Sequence, residues 1–354
     1  MDVTLRCFLG RPMTEPGAHL NVGSAEFELA KERTFGGYGL DVERDIRCID
    51  LSGIDEWKAN IDDEIWAAAT DIGFFQVIGH GIPQQQIDEA FGLAEAFFNL
   101  SADTKEQWPL RSGTNSGWEF RSQQRPSTGT LDQKESYQVT TSRMNRLGLW
   151  PSDDELAGFR ATMEAFERAN WVLAMRLLET FARKLGFVDD FFTQRHDPAS
   201  PEYQSTLRLL HYLPMQAADL GASIWRAGAH TDYDCLTLLH QRPGQHGLQL
   251  CPGVDAAQRQ DPDAPLGWTN VDPTPGTITC NIGDMLMRWS DDQLPSTLHR
   301  VRMPQADEYQ GPRYSMAFFA QADCDAIIHG PNGRYAPITA AEYLQQRIAA
   351  NFAG

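Results

Sequence analysis

The sequence predicts a mainly β fold, a β-sandwich or jelly roll, with flanking α-helices. Two observations predict it. Before residue 200, apolar residues recur mostly at helical spacing, and after about residue 203 short strand-like runs alternate with Gly, Pro and Asp. Many short strands at such spacing favour a sandwich or jelly roll over a parallel, doubly wound sheet. With 354 residues, of which 42% are hydrophobic, the chain is large enough to bury a substantial core.

The N-terminal half divides into an arm and a helical region. Residues 1–45 contain Gly and Pro clusters without a clear period, and we interpret them as an irregular arm. Residues 46–200 form the expected helical region, with helices around 61–72 and 87–98 and one strand at 73–83 between them.

The end of the helical region contains a polar stretch and a long helix. Residues 111–150 are polar, have few periodic signals and are interpreted as irregular. In the long helix that follows, Ser152 and Asp153 are the candidate N-terminal caps, and Gly186 ends it.

The C-terminal half is the predicted β core. We expect it to span residues 201–345, with residues 346–354 as a tail. The strand-like runs are STLRLLHY, GAHTDYDCLTLLH, GLQLC, WTNV, TITCNIGDMLMRW, STLHRVRM and RYSMAFFA.

Charge and cysteine usage exclude several classes of protein. The chain carries 48 acidic and 30 basic residues, a formal net charge of −18, which argues against nucleic acid and anionic lipid as partners. We find no run of about 18 apolar residues and no secretory signal, so we expect no membrane span. The six scattered cysteines, without a Cys-x-x-Cys, favour a reducing, cytoplasmic setting.

One histidine pattern points to a metal. Only His230 begins a His-x-Asp or His-x-Glu motif, and on a strand its side chain would share a face with Asp232. Two imidazoles and one carboxylate leave coordination positions open, as in non-haem Fe(II) oxygenases, whereas structural zinc is enclosed by four protein ligands. His299 is favoured as the third ligand because it lies in another strand-like run. The downstream candidates are His240, His246, His299 and His329.

Two arginines lie in strand-like runs that are otherwise apolar. Arg313 shares a face with Ser315, and together they can hold one carboxylate. Arg208 shares a face with Tyr212, and a buried arginine is costly unless it is paired. Its partner is either a structural acid or a carboxylate of a bound small molecule, and both hypotheses stay open.

The runs GAHTDY, GDMLMRWSDDQLPSTLHRV and PRYSMAFF, in this order and spacing, resemble the Fe(II)- and 2-oxoglutarate-dependent dioxygenases of the isopenicillin N synthase-like superfamily. The resemblance covers roughly residues 46–345 and is nearest to microbial members such as thymine hydroxylase. It implies a double-stranded β-helix core. It also implies that His230, Asp232 and His299 bind Fe(II), and that Arg313 and Ser315 bind 2-oxoglutarate.

The resemblance carries further expectations about ligands and chemistry. Tyr212 would contact 2-oxoglutarate, and Arg208, Tyr233 and Phe319 would line the substrate pocket. With O₂, the enzyme would release succinate and CO₂ and hydroxylate, desaturate or cyclise a small molecule, for example in secondary metabolism. We expect no catalytic residue beyond the metal centre. Two alternatives are an iron oxidase of the same fold that does not use 2-oxoglutarate, and a non-catalytic jelly-roll binding module.

Overall fold

The computed structural model describes residues 39–54, 58–124, 130–214, 224–251 and 267–352. The predicted N-terminal arm lies outside these ranges up to residue 38. The helices within them are α1 (Lys58–Ile72), α2 (Gln84–Phe98), α3 (Ala102–Lys105), α4 (Thr141–Leu147), α5 (Phe159–Lys184), α6 (Asp284–Trp289) and α7 (Ala340–Phe352). None of these helices combines the length and apolar character that a membrane crossing needs.

Two sheets form the β core. The strands are β1 (Leu40–Asp41), β2 (Cys48–Asp50), β3 (Phe74–Ile78), β4 (Gly117–Phe120), β5 (Lys134–Val139), β6 (Thr206–Tyr212), β7 (Ala227–His230), β8 (Leu236–Gln241), β9 (Leu248–Cys251), β10 (Gly267–Asn270), β11 (Ile278–Ile282), β12 (Leu298–Val301), β13 (Arg313–Ala320), β14 (Ile327–Ile328) and β15 (Ile338–Thr339). The major sheet has the order β2-β3-β11-β8-β13-β6-β5-β4, the minor sheet has the order β1-β10-β9-β12-β7, and β14 pairs with β15. The predicted jelly roll with flanking helices is confirmed.

Strand alternation gives the major sheet two different faces. In β6, Leu207 and Leu209 join the large core cluster that also contains the apolar residues of α1, α2 and α5. Leu210 and Tyr212 join a second cluster with minor-sheet residues such as Leu250. Because side chains alternate along a strand, one face of the major sheet packs on helices and the other faces the minor sheet.

The interpretation of residues 111–150 as irregular is wrong. β4 and β5 extend the major sheet beyond β6, and α4 follows directly. All six residues of β5 are buried, and most of them are polar. The strand therefore lacks the alternation of buried apolar and exposed polar residues by which a strand is recognised in a sequence. Its charged side chains are neutralised by partners: Lys134 pairs with Asp132 at 2.9 Å, and Glu135 with Lys105 at 2.8 Å. Ion pairs of this kind make a buried polar strand tolerable.

Two local predictions also need correction. Helix α5 begins after Gly158 and not at Ser152, whose backbone N–H and hydroxyl both donate to Glu155 in a separate turn. The run TITCNIGDMLMRW is a strand only as far as Ile282. At Gly283 the chain turns into α6, and a Cβ there would lie 2.2 Å from the carbonyl oxygen of Asp234.

The C-terminal helix α7 crosses the predicted boundary at residue 345. Arg347, on this helix, is buried and pairs at 2.7 Å with buried Asp284 at the start of α6. Arg347 also donates to the hydroxyl of Thr231 at 3.3 Å. Helix α7 is therefore attached to the loop that follows β7.

Candidate active site

Two histidines and one aspartate meet at the edge of the minor sheet. His230 is the last residue of β7 and pairs in register with His299 of β12. The Oδ1 of Asp232 lies 3.9 Å from the Nε2 of His230 and 3.7 Å from the Nε2 of His299. Among the described residues, this trio is the one group whose ligand atoms lie close enough to share a metal ion, all within 4.8 Å of one another.

The aspartate is positioned differently from the sequence-based expectation. Strand β7 ends at His230, so Asp232 lies in the following loop and the same-face argument does not apply. Instead, its Oδ2 accepts hydrogen bonds from the Thr237 hydroxyl at 2.7 Å and from the Asn281 amide at 2.9 Å. These two bonds from the major sheet leave Oδ1 directed at the two imidazoles.

Backbone carbonyls orient both imidazoles. The Nδ1 of His230 lies 2.7 Å from the carbonyl oxygen of Gly228, and the Nδ1 of His299 lies 3.1 Å from that of Thr297. An N–H on each Nδ1 leaves Nε2 as a lone-pair donor, which is the tautomer a metal requires. Two neutral imidazoles, one carboxylate and an open side therefore suit Fe(II).

The other histidines with described partners have structural contacts. His240 is buried and lies 2.7 Å from the amide oxygen of Asn170. His246 is partly exposed and lies 3.0 Å from Asp272. Neither belongs to the trio, so the choice of His299 over them agrees with the geometry.

Arg313, at the start of β13, is buried without an acidic partner among the described residues. Only 1% of it is exposed, and burial lowers the pKa of its guanidinium. Its N–H groups donate to the Gln241 side-chain oxygen at 2.8 Å, to the Gln245 carbonyl at 3.1 Å and to Ser315 at 3.3 Å. The guanidinium also lies 4.8 Å from the centre of the Tyr212 ring. A buried cation with neutral partners is a ready site for a carboxylate.

The trio and Arg313 border one cavity of about 1160 Å³ between the two sheets. Typical ligand pockets measure about 300–1000 Å³, so this cavity has room for a co-substrate and a substrate together. Of the residues expected at the site, only Ser315 is not on its wall. The expected residues on the wall are His230, Asp232, His299, Tyr212, Arg313, Arg208, Tyr233 and Phe319.

Arg208 lies in the cavity wall among polar groups. Its Nη2 donates to Asn115 at 3.1 Å, and its guanidinium lies 5.1 Å from the centre of the Phe319 ring. Glu119 of β4 lines the same cavity. Burial raises the pKa of this carboxyl, but the charge of Arg208 and hydrogen bonds, including one from Ser136, hold it below its ordinary value.

The sequence comparisons agree with this geometry. Residues 46–153 match the family model described as "non-haem dioxygenase in morphine synthesis N-terminal", and residues 203–322 match "2OG-Fe(II) oxygenase superfamily". The chain is 30% identical to gibberellin 2-beta-dioxygenase 5 of Oryza sativa over 87% of this chain and 84% of the relative. It is 28% identical to proline hydroxylase buaE of Petromyces alliaceus over 80% and 88% of the two chains.

Solved structures show the same architecture. The full-length thymine hydroxylase of Neurospora crassa, in complex with alpha-KG, superposes with a TM-score of 0.73 at 26% identity, over 90% of this chain and 99% of that one. A second structure of that enzyme contains alpha-KG and thymine. A putative 2OG-Fe(II) oxygenase of Caulobacter crescentus superposes with a TM-score of 0.70 at 28% identity, over 86% and 98% of the chains.

Proposed function

The chain belongs to the 2-oxoglutarate–Fe(II) oxygenase superfamily, and on this premise we propose that His230, Asp232 and His299 bind Fe(II) while Arg313 holds 2-oxoglutarate. The protein is an iron- and 2-oxoglutarate-dependent oxidoreductase, and its substrate is a small organic molecule. One observation carries the residue assignment: buried Arg313, which has no acidic partner among the described residues, lines the same cavity as the open metal trio.

Arg313 fixes one end of the co-substrate. Its guanidinium meets the distal carboxylate of 2-oxoglutarate, and the Ser315 hydroxyl supports it from the same face of β13. Tyr212 packs against the guanidinium and narrows the site. Held at this end, the 2-oxoacid group is directed toward the trio across the shared cavity.

The metal and co-substrate supply the oxidative chemistry: O₂ decarboxylates 2-oxoglutarate to succinate and CO₂, and the oxidising equivalent is transferred to the substrate. The side chains of the protein hold the metal ligands in position and exclude water from the site. Thr237 and Asn281 keep Asp232 in place. Phe74, Tyr233 and Phe319 line the cavity beside the trio with aromatic surface and help to exclude water. Arg208 and Glu119 offer polar contacts to a substrate.

Succinate formation is the test of this assignment. Purified protein is supplied with Fe(II), 2-oxoglutarate and a panel of small organic acids, heterocycles and amino acids in air, and succinate is measured. We expect succinate only when both Fe(II) and 2-oxoglutarate are present, with equal yield from the control His246→Ala and a much lower yield from Arg313→Met at the same 2-oxoglutarate concentration. Oxidised product formed without 2-oxoglutarate would favour the iron oxidase alternative instead.

A further inference from the structure

Another cationic group lies on the cavity wall, on helix α4. Arg143 is 2% exposed and lines the cavity. Its Nη1 donates to the carbonyl oxygen of Thr114 at 2.9 Å, and its Nη2 lies 3.9 Å from the Cys324 sulfur, a weak acceptor. Its Nε has no hydrogen-bond partner. Among the described residues no carboxylate lies within ion-pair distance of it, so this buried charge lacks a counter-ion.

A buried amide on the same wall is also unsatisfied. Gln321 follows β13 directly and continues the alternation that turns Phe319 toward the cavity. Its backbone groups bond with the Ser205 hydroxyl, but its side-chain Nε2 has no hydrogen-bond partner although the residue is only 8% exposed. Two unsatisfied buried donors on one cavity call for an acceptor from outside the chain.

The two donors belong to one region of the wall. The Cys324 sulfur that lies near Arg143 donates to the side-chain oxygen of Gln204 at 3.4 Å. Gln204 lies two residues before Thr206, which pairs with Phe319, and it therefore lies across from Gln321. Arg143 and Gln321 therefore lie in the same part of the cavity wall.

The charges around the cavity indicate a monoanion. Lys134 is neutralised by Asp132 at 2.9 Å, and the charge of Arg208 acts on Glu119. With Arg313 assigned to the co-substrate, Arg143 is the buried cation of the described wall that keeps an unbalanced charge. One carboxylate would balance it, whereas a phosphate dianion would leave an excess negative charge in a buried place.

Part of the wall of the same cavity is apolar. Leu344 and Ile348, one turn apart on α7, face the cavity together with Leu147 of α4 and the ring of Phe319. An occupant of this region would place an apolar body against these side chains. This surface is continuous with the cavity that reaches the trio.

We propose that the substrate is a carboxylic acid with an apolar body, whose carboxylate is bound by Arg143 and Gln321. This inference rests on the proposed function, because it assigns Arg313 to 2-oxoglutarate. The apolar body of the substrate packs on Leu344, Ile348 and Phe319 and extends toward the metal trio.

The test compares acids with their neutral amides. Phenylacetate, 3-phenylpropanoate and 4-phenylbutanoate, and the three primary amides, are titrated calorimetrically into Fe(II)-loaded protein saturated with 2-oxoglutarate under argon. Saturation occupies Arg313, so the acids report on the second site. We expect at least one acid to bind about tenfold or more tightly than its amide, as hydrogen bonds to a charged group imply. Arg143→Gln and Gln321→Met should each reduce this preference severalfold, and the exposed control Arg146→Gln should keep it.

The melting temperature of the Gln321→Met variant distinguishes a role of Gln321 in binding from a structural role. Gln321→Met removes an unsatisfied buried donor, so it should leave the melting temperature equal or higher while weakening acid binding. Equal affinity for acids and amides, no binding of any acid, or a preference that survives in Arg143→Gln would overturn the inference. Failure of 2-oxoglutarate itself to bind, in a titration of the Fe(II)-loaded protein made before the acids are added, would contradict the proposed function instead.

Discussion

Replacing Arg313 by Met separates a ligand-binding arginine from a structural one. The guanidinium has no acidic partner among the described residues and donates hydrogen bonds to Gln241, Gln245 and Ser315. Methionine has a similar length and fills much of the same space without charge. The variant therefore removes the charge and fork geometry while keeping most of the packing around Tyr212.

Two opposing effects set the stability of the ligand-free variant. The unsatisfied acceptors left on Gln241 and Gln245 cost about 1–3 kcal/mol each. Removing a buried cation without an ion-pair partner should stabilise the protein by several kcal/mol, because the desolvation of that charge no longer opposes folding. The terms are of similar size, so the free energy of unfolding should change little. Loss of one partner of a buried ion pair would instead cost about 3–5 kcal/mol.

Binding of 2-oxoglutarate should change much more. Losing the arginine leaves the distal carboxylate buried without a counter-charge, which costs roughly 2–5 kcal/mol, or about 30-fold to several-thousand-fold in Kd. Arg313→Lys should recover part of the affinity, since an ammonium cannot reproduce the fork. Calorimetric titration of 2-oxoglutarate into Fe(II)-loaded protein under argon, beside chemical denaturation, measures both quantities. Unchanged 2-oxoglutarate affinity, or a strongly destabilised variant that still binds it, would refute the reasoning.

Three further predictions concern other charged groups. Arg347→Met should destabilise the protein by about 3–5 kcal/mol in urea denaturation, since it leaves Asp284 buried without its ion-pair partner. Adding Asp284→Asn to this variant should restore much of the lost stability. An Arg347→Met variant as stable as wild type would contradict the prediction. Burial raises the pKa of Glu167 to about 7 from an ordinary 4.5, so stability should fall by about 3 kcal/mol as pH rises from 4.5 to 7, because the native state holds the proton more tightly than the unfolded state. Glu167→Gln should flatten that pH profile, and an unaltered profile would exclude Glu167 as its source. Arg208→Met should lower turnover more than thermal stability if Arg208 serves a ligand, whereas collapse of the melting temperature with full activity per folded molecule would indicate a structural role.

The metal trio could be predicted because it depends on short-range patterns. His230 and Asp232 are two residues apart, and His299 lies in a strand-like run whose pairing with β7 a jelly roll makes plausible. The hydrogen bonds that hold the Asp232 carboxylate in place could not be predicted. Thr237 and Asn281 approach it from two strands of the other sheet, and no local motif links them.

Most of the cavity wall could not be predicted from the sequence. β5 carries buried polar residues such as Glu135, whose partner Lys105 lies 30 residues earlier in the chain, so its local pattern gives no strand signal. The structure places Glu119 of β4 and Lys134 of β5 on the cavity wall. Arg143 and Gln321 carry no motif, because their unsatisfied state exists only once β6, β13 and α4 have packed together.

Iron content of matched variants tests the metal centre most directly. Wild type, His299→Ala, Arg313→Met and His246→Ala are loaded with Fe(II) under argon, desalted, and their iron per chain is measured. We expect close to one iron per chain in wild type, in His246→Ala and in Arg313→Met, and almost none in a folded His299→Ala, because only that variant loses a ligand of the trio. Wild-type iron content in His299→Ala, or its loss in His246→Ala, would contradict the assignment.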